Sequence, residues 1–172
     1  VSNTLTITSF IVDLTAATLV EVTAVTTPTN DSTPDYTFSS SEAGTITYGG
    51  SCSSSTTSAT TDNNTITLVS LSDGTYSNCT ITVTDNVSNS SVTLNISSFV
   101  VDTTAPTVSS ISTTADNQSS VSITDNITVT FSEAMDTTYV TTNTDNTSCS
   151  GTLRVSSDNF SNCVQMSSSP IS

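Results

Sequence analysis

The stretch CTITVTD, from Cys79 to Asp85, carries the pattern that decides the fold of this chain. Cys79, Ile81 and Val83 alternate with threonines, and an Asp-Asn pair typical of a turn follows. Because successive side chains of a strand point to opposite faces, this alternation predicts a half-buried β-strand. The same pattern recurs between turns rich in Gly, Asp and Asn, at Tyr36–Phe38, Ile46–Tyr48, Ile66–Leu68 and Val92–Ile96. Helix signals are absent, so the sequence predicts an all-β protein built of sandwich domains.

The charge balance excludes several classes of function. The chain of 172 residues has 15 acidic residues, one basic residue, Arg154, and no histidine. Such a surface cannot neutralise phosphates, so we expect no nucleic-acid partner and no binding to an anionic membrane. Neither His nor Lys is present to act as a general base, and a carboxylate pair such as Asp35 with Glu42 is better explained as solvated turn acids. We therefore expect no catalytic residues and no enzymatic activity. No apolar run approaches the ~20 residues that span a bilayer, which predicts no membrane insertion.

The four cysteines are divided evenly between the two halves of the chain: Cys52 and Cys79, then Cys149 and Cys163. This spacing predicts one disulfide within each half and an oxidising, extracellular compartment. Four free buried thiols are the alternative. Zinc is disfavoured, because the chain has neither a CxxC spacing nor a histidine to complete a tetrahedral site.

A repeated segment divides the chain into domains. SFIVDLTAA, Ser9 to Ala17, returns as SFVVDTTAP, Ser98 to Pro106. The second copy closes one domain and opens the next, and the proline stiffens the joint between them. The repeat predicts an N-terminal strand over residues 1–16, a first domain over 17–105 and a second domain over 106–172.

The second domain is predicted to lack its last strand. FSNC, ending at Cys163, matches YSNC, ending at Cys79, and thereby fixes the register between the domains. The closing strand of the first domain, Leu94–Phe99, follows its cysteine, whereas only nine residues follow Cys163. If a second copy is joined head to tail, its N-terminal strand, about Asn3 to Val12, arrives at nearly the missing position. The chain is therefore expected to be one period of a head-to-tail series.

In both copies of the repeat the apolar phase slips by one residue. The slip runs from Ile7 to Phe10 in the first copy and from Ile96 to Phe99 in the second. A β-bulge, or a strand that passes from one sheet to another, would produce it.

Several motifs resemble known families. DGTY at Asp73–Tyr76, VTD at Val83–Asp85 and DTTAP at Asp102–Pro106 resemble the bacterial Ig-like repeats of large surface proteins. NITVTFSEAMD at Asn126–Asp136 resembles the related Ig-like modules first associated with bacterial surface layers. The resemblance implies tandem seven-stranded Greek-key sandwiches that form stalks, adhesins or fibres. It also implies a tyrosine-corner role for Tyr76, whose hydroxyl would bond back to the backbone.

These patterns predict a structural unit of an extracellular filament or stalk on the cell surface, whose partner is another copy of itself. In one route, separate subunits donate a strand, as in donor-strand complementation, and the groove is filled by Leu5, Ile7, Phe10, Ile11 and Val12. In the other route, the repeats are covalently joined in a longer protein. A monomeric adhesin or ligand-binding module with an unknown surface receptor is the alternative, although few aromatic residues and no tryptophan disfavour sugar stacking.

Calcium is the one cofactor for which the sequence offers a physical case. Carboxylate and carbonyl oxygens are abundant near the predicted joints, where turns could bring them together. Acidic turn residues also occur for backbone reasons, and no EF-hand spacing is present, so solvated turn acids are the competing interpretation. The candidate ligands are Asp13, Asp85, Asp102, Asp116 and Asp125.

Overall fold

The computed structural model describes residues 3–113, 126–145, 148–156 and 159–166. Across these ranges the chain forms strands and turns and no helix, so the protein is all-β. Accordingly, the described residues include no helix with the length and apolarity to cross a membrane. The chain divides into two compact units, Val1–Thr104 and Ala105–Ser172, and this division lies one residue before the predicted joint.

The strands of the first unit follow the alternating segments of the sequence and end at Gly-, Asp- or Asn-containing turns. They are β1 (Leu19–Thr23), β2 (Asp35–Ser40), β3 (Gly44–Gly49), β4 (Ser58–Ala59), β5 (Asp62–Thr67), β6 (Gly74–Tyr76), β7 (Thr80–Thr84), β8 (Leu94–Asn95) and β9 (Phe99–Val101).

Two sheets of the first unit share one core. One sheet has the order β1-β2-β5 and the other the order β4-β3-β7-β8, with antiparallel neighbours throughout. Tyr36 and Phe38 from the first sheet meet Ile46, Ile81 and Val83 from the second, and all five side chains are buried. Apolar faces of two sheets that enclose a common core define a β-sandwich.

The predicted alternation is confirmed along β2, β3, β5 and β7, where the apolar positions are buried, apart from the half-buried Tyr48, and the residues between them are more exposed. Val92 departs from it, since β8 begins only at Leu94 and the valine side chain is 88% exposed.

The last strand of the first unit changes sheet at the predicted slip. β8 pairs with β7 in the four-stranded sheet, whereas β9 pairs with β6, with Phe99 opposite Tyr76. Between β8 and β9, the amide and hydroxyl of Ser97 donate hydrogen bonds of 2.9 and 2.6 Å to the Glu21 carboxylate. These bonds satisfy polar groups of the crossover, which has left one ladder before joining the other.

The second unit has a different interior. Its strands β10 (Val108–Thr113) and β11 (Ile127–Phe131) form an antiparallel pair. Among the described residues of this unit no apolar side chain is buried, and the side chain that is enclosed is Asn143. Its amide nitrogen donates to the carbonyls of Asp145 and Val164, at 2.8 and 3.1 Å, and its oxygen accepts from the Ser150 amide at 2.9 Å. Polar contacts therefore surround the one side chain that is enclosed among the described residues of this unit.

Both disulfides form as predicted. Cys52–Cys79 joins the ends of the paired strands β3 and β7 and is buried, as the in-phase position of Cys79 indicated. Cys149–Cys163 closes a loop in the second unit and is half-buried. Each covalent loop restricts the unfolded chain and is expected to contribute about 3 kcal/mol to stability.

Candidate assembly site

The N-terminal segment, residues 3–14, is an apolar stretch without a strand partner. It forms no regular secondary structure, and every predicted donor side chain on it is strongly exposed. Contiguous exposed apolar side chains of this size are typical of interaction sites or of aggregation-prone segments. The exposed fractions are 87% for Leu5, 76% for Ile7, 76% for Phe10, 94% for Ile11 and 66% for Val12.

The first unit shows the environment in which this sequence folds. Residues 5–13 align without a gap with residues 94–102, and Leu, Ile, Ser, Phe, Val and Asp recur at equal places. In the second copy Ile96, Phe99 and Val101 are buried in the core, and Val100 between them is only half-buried. The same pattern is thus exposed where it lacks partner strands and buried where β6 and β7 flank it.

The turn that follows each copy has the same local structure. The Asp13 carboxylate accepts a hydrogen bond from the Thr15 amide at 3.0 Å. The Asp102 carboxylate accepts one from the Thr104 amide at 3.2 Å. The two copies are therefore equivalent in local geometry at this turn as well as in sequence.

The second unit presents exposed apolar side chains and a hollow. The hollow has a volume of about 320 Å³ and is lined by Thr152, Arg154 and Phe160. Sequence reasoning aligned the FSNC and YSNC motifs but assigned Phe160 no role, although the alignment places it at the position of Tyr76. The large exposed apolar residues of this unit are Val108, Ile111, Ile127, Tyr139, Phe160 and Val164.

Tyr76 shows what an aromatic residue does at this position in the first unit. Its ring stacks on Phe99, with the ring centroids 5.3 Å apart and the planes 15° from parallel. Its hydroxyl donates a 2.8 Å hydrogen bond to the Ser72 carbonyl, as the tyrosine-corner interpretation predicted. The aromatic ring is thus the contact between β6 and the closing strand.

An acidic cluster lies at the end of the N-terminal segment. Carboxylate oxygens of Asp13, Glu42 and Asp85 come within 4.8 Å of one another. The side-chain amide nitrogen of Asn89 donates hydrogen bonds to the Asp13 backbone carbonyl at 3.2 Å and to the Asp85 carboxylate at 2.8 Å. These bonds connect the N-terminal segment to the turn after β7. These are the described residues whose arrangement could hold a divalent cation with oxygen ligands.

Asp85 also organises its own turn. One carboxylate oxygen accepts hydrogen bonds from the Val87 and Asn89 amides, at 2.9 and 2.8 Å. Burial acts to raise the pKa of the Asp85 carboxyl, but the hydrogen bonds from Asn89 and Val87 outweigh burial and lower it. This carboxylate is therefore ionised at neutral pH, and it accepts hydrogen bonds from backbone amides of its own turn.

Two of the five predicted calcium ligands lie in one cluster of the described residues. Asp13 and Asp85 are brought together, and Glu42, which sequence reasoning did not select, joins them. Asp102 is not part of this cluster. Asp116 and Asp125 lie outside the described residues. Calcium binding remains a prediction for this chain.

Comparison with known proteins gives one match. Residues 102–168, less than half of the chain, match the family model described as "Bacterial Ig-like domain". No curated protein and no solved structure matches the chain significantly. The match covers the second unit, where the described core is polar, and supports an Ig-like domain there.

Domains of this family occur in bacterial surface proteins. The two disulfides fit an extracellular compartment, because they persist where the environment is oxidising. The match and the disulfides are both compatible with a module of the cell surface.

Proposed function

We propose that this chain is a non-catalytic structural unit of an extracellular filament or stalk, in which residues 3–12 of one copy complete the second domain of the next. The observation that carries the proposal is the duplicated closing strand. Its second copy is buried as β8 and β9, whereas its first copy is exposed along its whole length. The exposed segment therefore has the sequence pattern of a strand that closes a domain of this chain.

The energetics favour such a contact. Burying the five predicted donor side chains contributes at most about 10 kcal/mol, at roughly 2 kcal/mol for each side chain that is fully buried. An added strand also contributes main-chain hydrogen bonds to the sheet edge. Association and ordering cost roughly 4–15 kcal/mol, so a single contact is stable only when most of these side chains become buried.

Repetition of this contact yields a polymer. Donor and acceptor lie on different units of the chain, so the interface is heterologous, and a heterologous interface that does not close forms an open fibre. Residues 3–12 contain no charged residue. The donated strand therefore enters its groove without desolvating a charge, in a chain whose net charge is −14.

The test compares the full chain with a variant lacking residues 1–13 and with the double variant Ile7→Asp and Phe10→Asp. We expect the full chain to form filaments visible by electron microscopy and fast-sedimenting species, and both variants to remain monomeric. Filaments from the variants, or none from the full chain at any concentration, would contradict the proposal. The denatured mass of native material then separates subunits of 17.7 kDa from a covalent series of repeats.

A monomeric surface adhesin module is the second candidate, and the bacterial Ig-like match favours it equally. A module of this kind would sediment as a monomer with and without residues 1–13. The same experiment therefore distinguishes the two functions.

A further inference from the structure

We infer that one aromatic pair sets the register of the contact: Phe10 of the donor copy stacks on Phe160 of the acceptor copy, as Phe99 stacks on Tyr76 within the first unit. The inference rests on the proposed head-to-tail assembly and specifies its partner surface. The occupant is a second copy of this chain, and its docking point is the hollow beside Phe160 and Arg154.

The first unit supplies the template for the register. In the β6–β9 pair, Tyr76 lies opposite Phe99 and Thr75 lies opposite Val100. In the YSNC–FSNC match, Asn159 and Phe160 correspond to Thr75 and Tyr76 of β6. In the closing-strand repeat, Phe10 and Ile11 correspond to Phe99 and Val100 of β9. The transferred register therefore pairs Phe160 with Phe10 and Asn159 with Ile11.

The hollow has a suitable size for this ring. An apolar cavity of about 150 Å³ holds one benzene molecule, and the hollow measures about 320 Å³. Phe160 on its wall is 55% exposed and offers a free face for stacking. One aromatic side chain with part of its strand therefore fits.

Charge favours the same occupant. Arg154, the single basic residue of the chain, lines the hollow. A guanidinium beside an aromatic face is attracted to the ring. In the donor, Asp13 follows Phe10 by three residues, roughly 10 Å along an extended strand, which is about one Debye length. Docking thus brings the first acidic residue of the donor toward the one cation of the acceptor.

The area of the donor segment is adequate for a specific contact. Its five apolar donor side chains present about 500 Å² at roughly 100 Å² each. The backbone of a ten-residue strand adds to this area and brings it near the ~800 Å² per partner that stable complexes bury.

The backbone of the acceptor differs from its template in one respect. Asn159 and Phe160 have φ values of 58° and 63°, in the left-handed region that a bulky aromatic residue adopts at a cost. Their counterparts Thr75 and Tyr76 are extended in β6. Pairing with the donor requires these two residues to extend, and the new ladder hydrogen bonds would stabilise that conformation.

Cysteine cross-linking tests the register in the assembled full-length chain. Residues directly opposite in an antiparallel pair have Cα atoms about 4.5–5.5 Å apart, within disulfide range. A shift of two residues moves one Cα about 7 Å along the strand and increases the separation to about 8 Å, beyond that range. The variant Ile11→Cys with Asn159→Cys is compared with the matched variant Ile11→Cys with Ser161→Cys. Peptide mapping checks that Cys52–Cys79 and Cys149–Cys163 stay intact.

We expect the first variant to give a non-reducing ladder in multiples of 17.7 kDa, at least five times stronger than that of the matched variant. Equal ladders, or a stronger one from the matched variant, would overturn the register while leaving the assembly intact. A cross-linked monomer would overturn the choice of a second copy as the occupant. Absence of polymer from the unmodified chain would instead overturn the proposed function itself.

Alanine variants give an independent readout of the stacked pair. We expect Phe160→Ala to raise the concentration needed for assembly at least tenfold, and Tyr139→Ala, which removes another exposed ring of the same unit, to leave it unchanged. Adding Phe10→Ala to Phe160→Ala should have less effect than the sum of the single changes, with a coupling of about two- to tenfold. Additive effects, or equal effects of the two alanine variants, would overturn the pairing.

Discussion

Gly50 lies where two segments of the first unit approach too closely for any side chain. Its φ is +73°, and a Cβ atom at this position would lie 1.9 Å from the Asn78 carbonyl oxygen. Gly50 precedes Cys52 by two residues and Asn78 precedes Cys79 by one, so the close approach lies beside the buried disulfide.

We predict that Gly50→Ala destabilises the first unit by at least about 2 kcal/mol, since it combines left-handed backbone strain with a main-chain clash. Gly74→Ala is the matched control, because its φ is also positive but its Cβ would meet nothing within 4 Å. Urea unfolding of both variants measures the difference. Equal losses of stability would show that the clash relaxes freely.

Tyr36 contains a hydroxyl that the core does not satisfy. The oxygen is buried and, among the described residues, has no hydrogen-bond partner of good geometry. Burial raises the pKa of this phenol, and the nearby Glu21 carboxylate raises it further. The hydroxyl therefore stays neutral and costs desolvation energy in the folded state.

We predict that Tyr36→Phe leaves the first unit as stable as before or up to about 1 kcal/mol more stable, because it removes an unsatisfied group. Phe38→Ala, at the neighbouring buried ring, should cost about 3–5 kcal/mol by leaving a cavity. Denaturant midpoints compare the two. A loss above 1 kcal/mol for Tyr36→Phe would mean that the hydroxyl does make a stabilising bond.

Asp85 links stability to pH. The pKa of its carboxyl in the folded chain is lowered below the ordinary value of 3.8. The stability that the ionised carboxylate contributes to folding is therefore fully present above the pKa of the unfolded state, and it is lost as pH falls through the pKa of the folded state. We predict that Asp85→Asn is less stable than the unmodified chain at pH 7 and that the difference shrinks below about pH 4. Thermal unfolding between pH 7 and pH 2.5 measures it. A difference independent of pH would contradict the linkage.

At the scale of a strand, the closing element of the first unit presents its side chains unequally. In β9 the side chains of Phe99 and Val101 are buried, and the intervening Val100 is half-buried. The change of sheet after β8 lets one strand contribute apolar residues to both ladders, and the phase slip between Ile96 and Phe99 is the trace of that change in sequence.

We predict that the side chains of the donor segment are buried as unequally in the assembled contact as those of β9 are in the first unit. Ile7→Asn and Val12→Asn, whose counterparts are buried, should each raise the concentration needed for assembly at least tenfold. Ile11→Asn is the matched control and should change it less, because its counterpart is only half-buried. Sedimentation over a concentration series gives the values. An effect of Ile11→Asn as large as the others would indicate a different face or register.

At the scale of the whole molecule, the net negative charge opposes the head-to-tail contact that the duplicated segment suggests. A net charge of −14 makes copies repel, whereas the proposed contact joins an uncharged donor segment to the hollow beside Phe160. Assembly of such a chain depends on how far the repulsion is screened.

We predict that assembly becomes easier as salt increases, with the threshold concentration falling several-fold between about 10 mM and 150 mM sodium chloride, as the Debye length shortens from roughly 30 to 8 Å. Light scattering across this range checks it. A threshold that rises with salt would mean that a specific ion pair, with Arg154 as its one basic candidate, dominates the contact.

Much of the architecture could be predicted from sequence because its signals are local. Strand alternation, the pairing of Cys52 with Cys79 and of Cys149 with Cys163, and the slip before Phe99 depend on neighbouring residues or on simple spacing. The Tyr76 hydrogen bond also spans only four residues.

The sequence by itself thus determined the strands, the disulfides and the duplicated closing segment. Only the tertiary structure decided that Glu42 joins Asp13 and Asp85 while Asp102 does not, and that Arg154 shares a hollow with Phe160. It also decided that the slip is a change of sheet and that Asn143 is enclosed among the described residues of the second unit. These features join residues far apart in the chain, and their distances depend on how strands pack, which no local periodicity encodes.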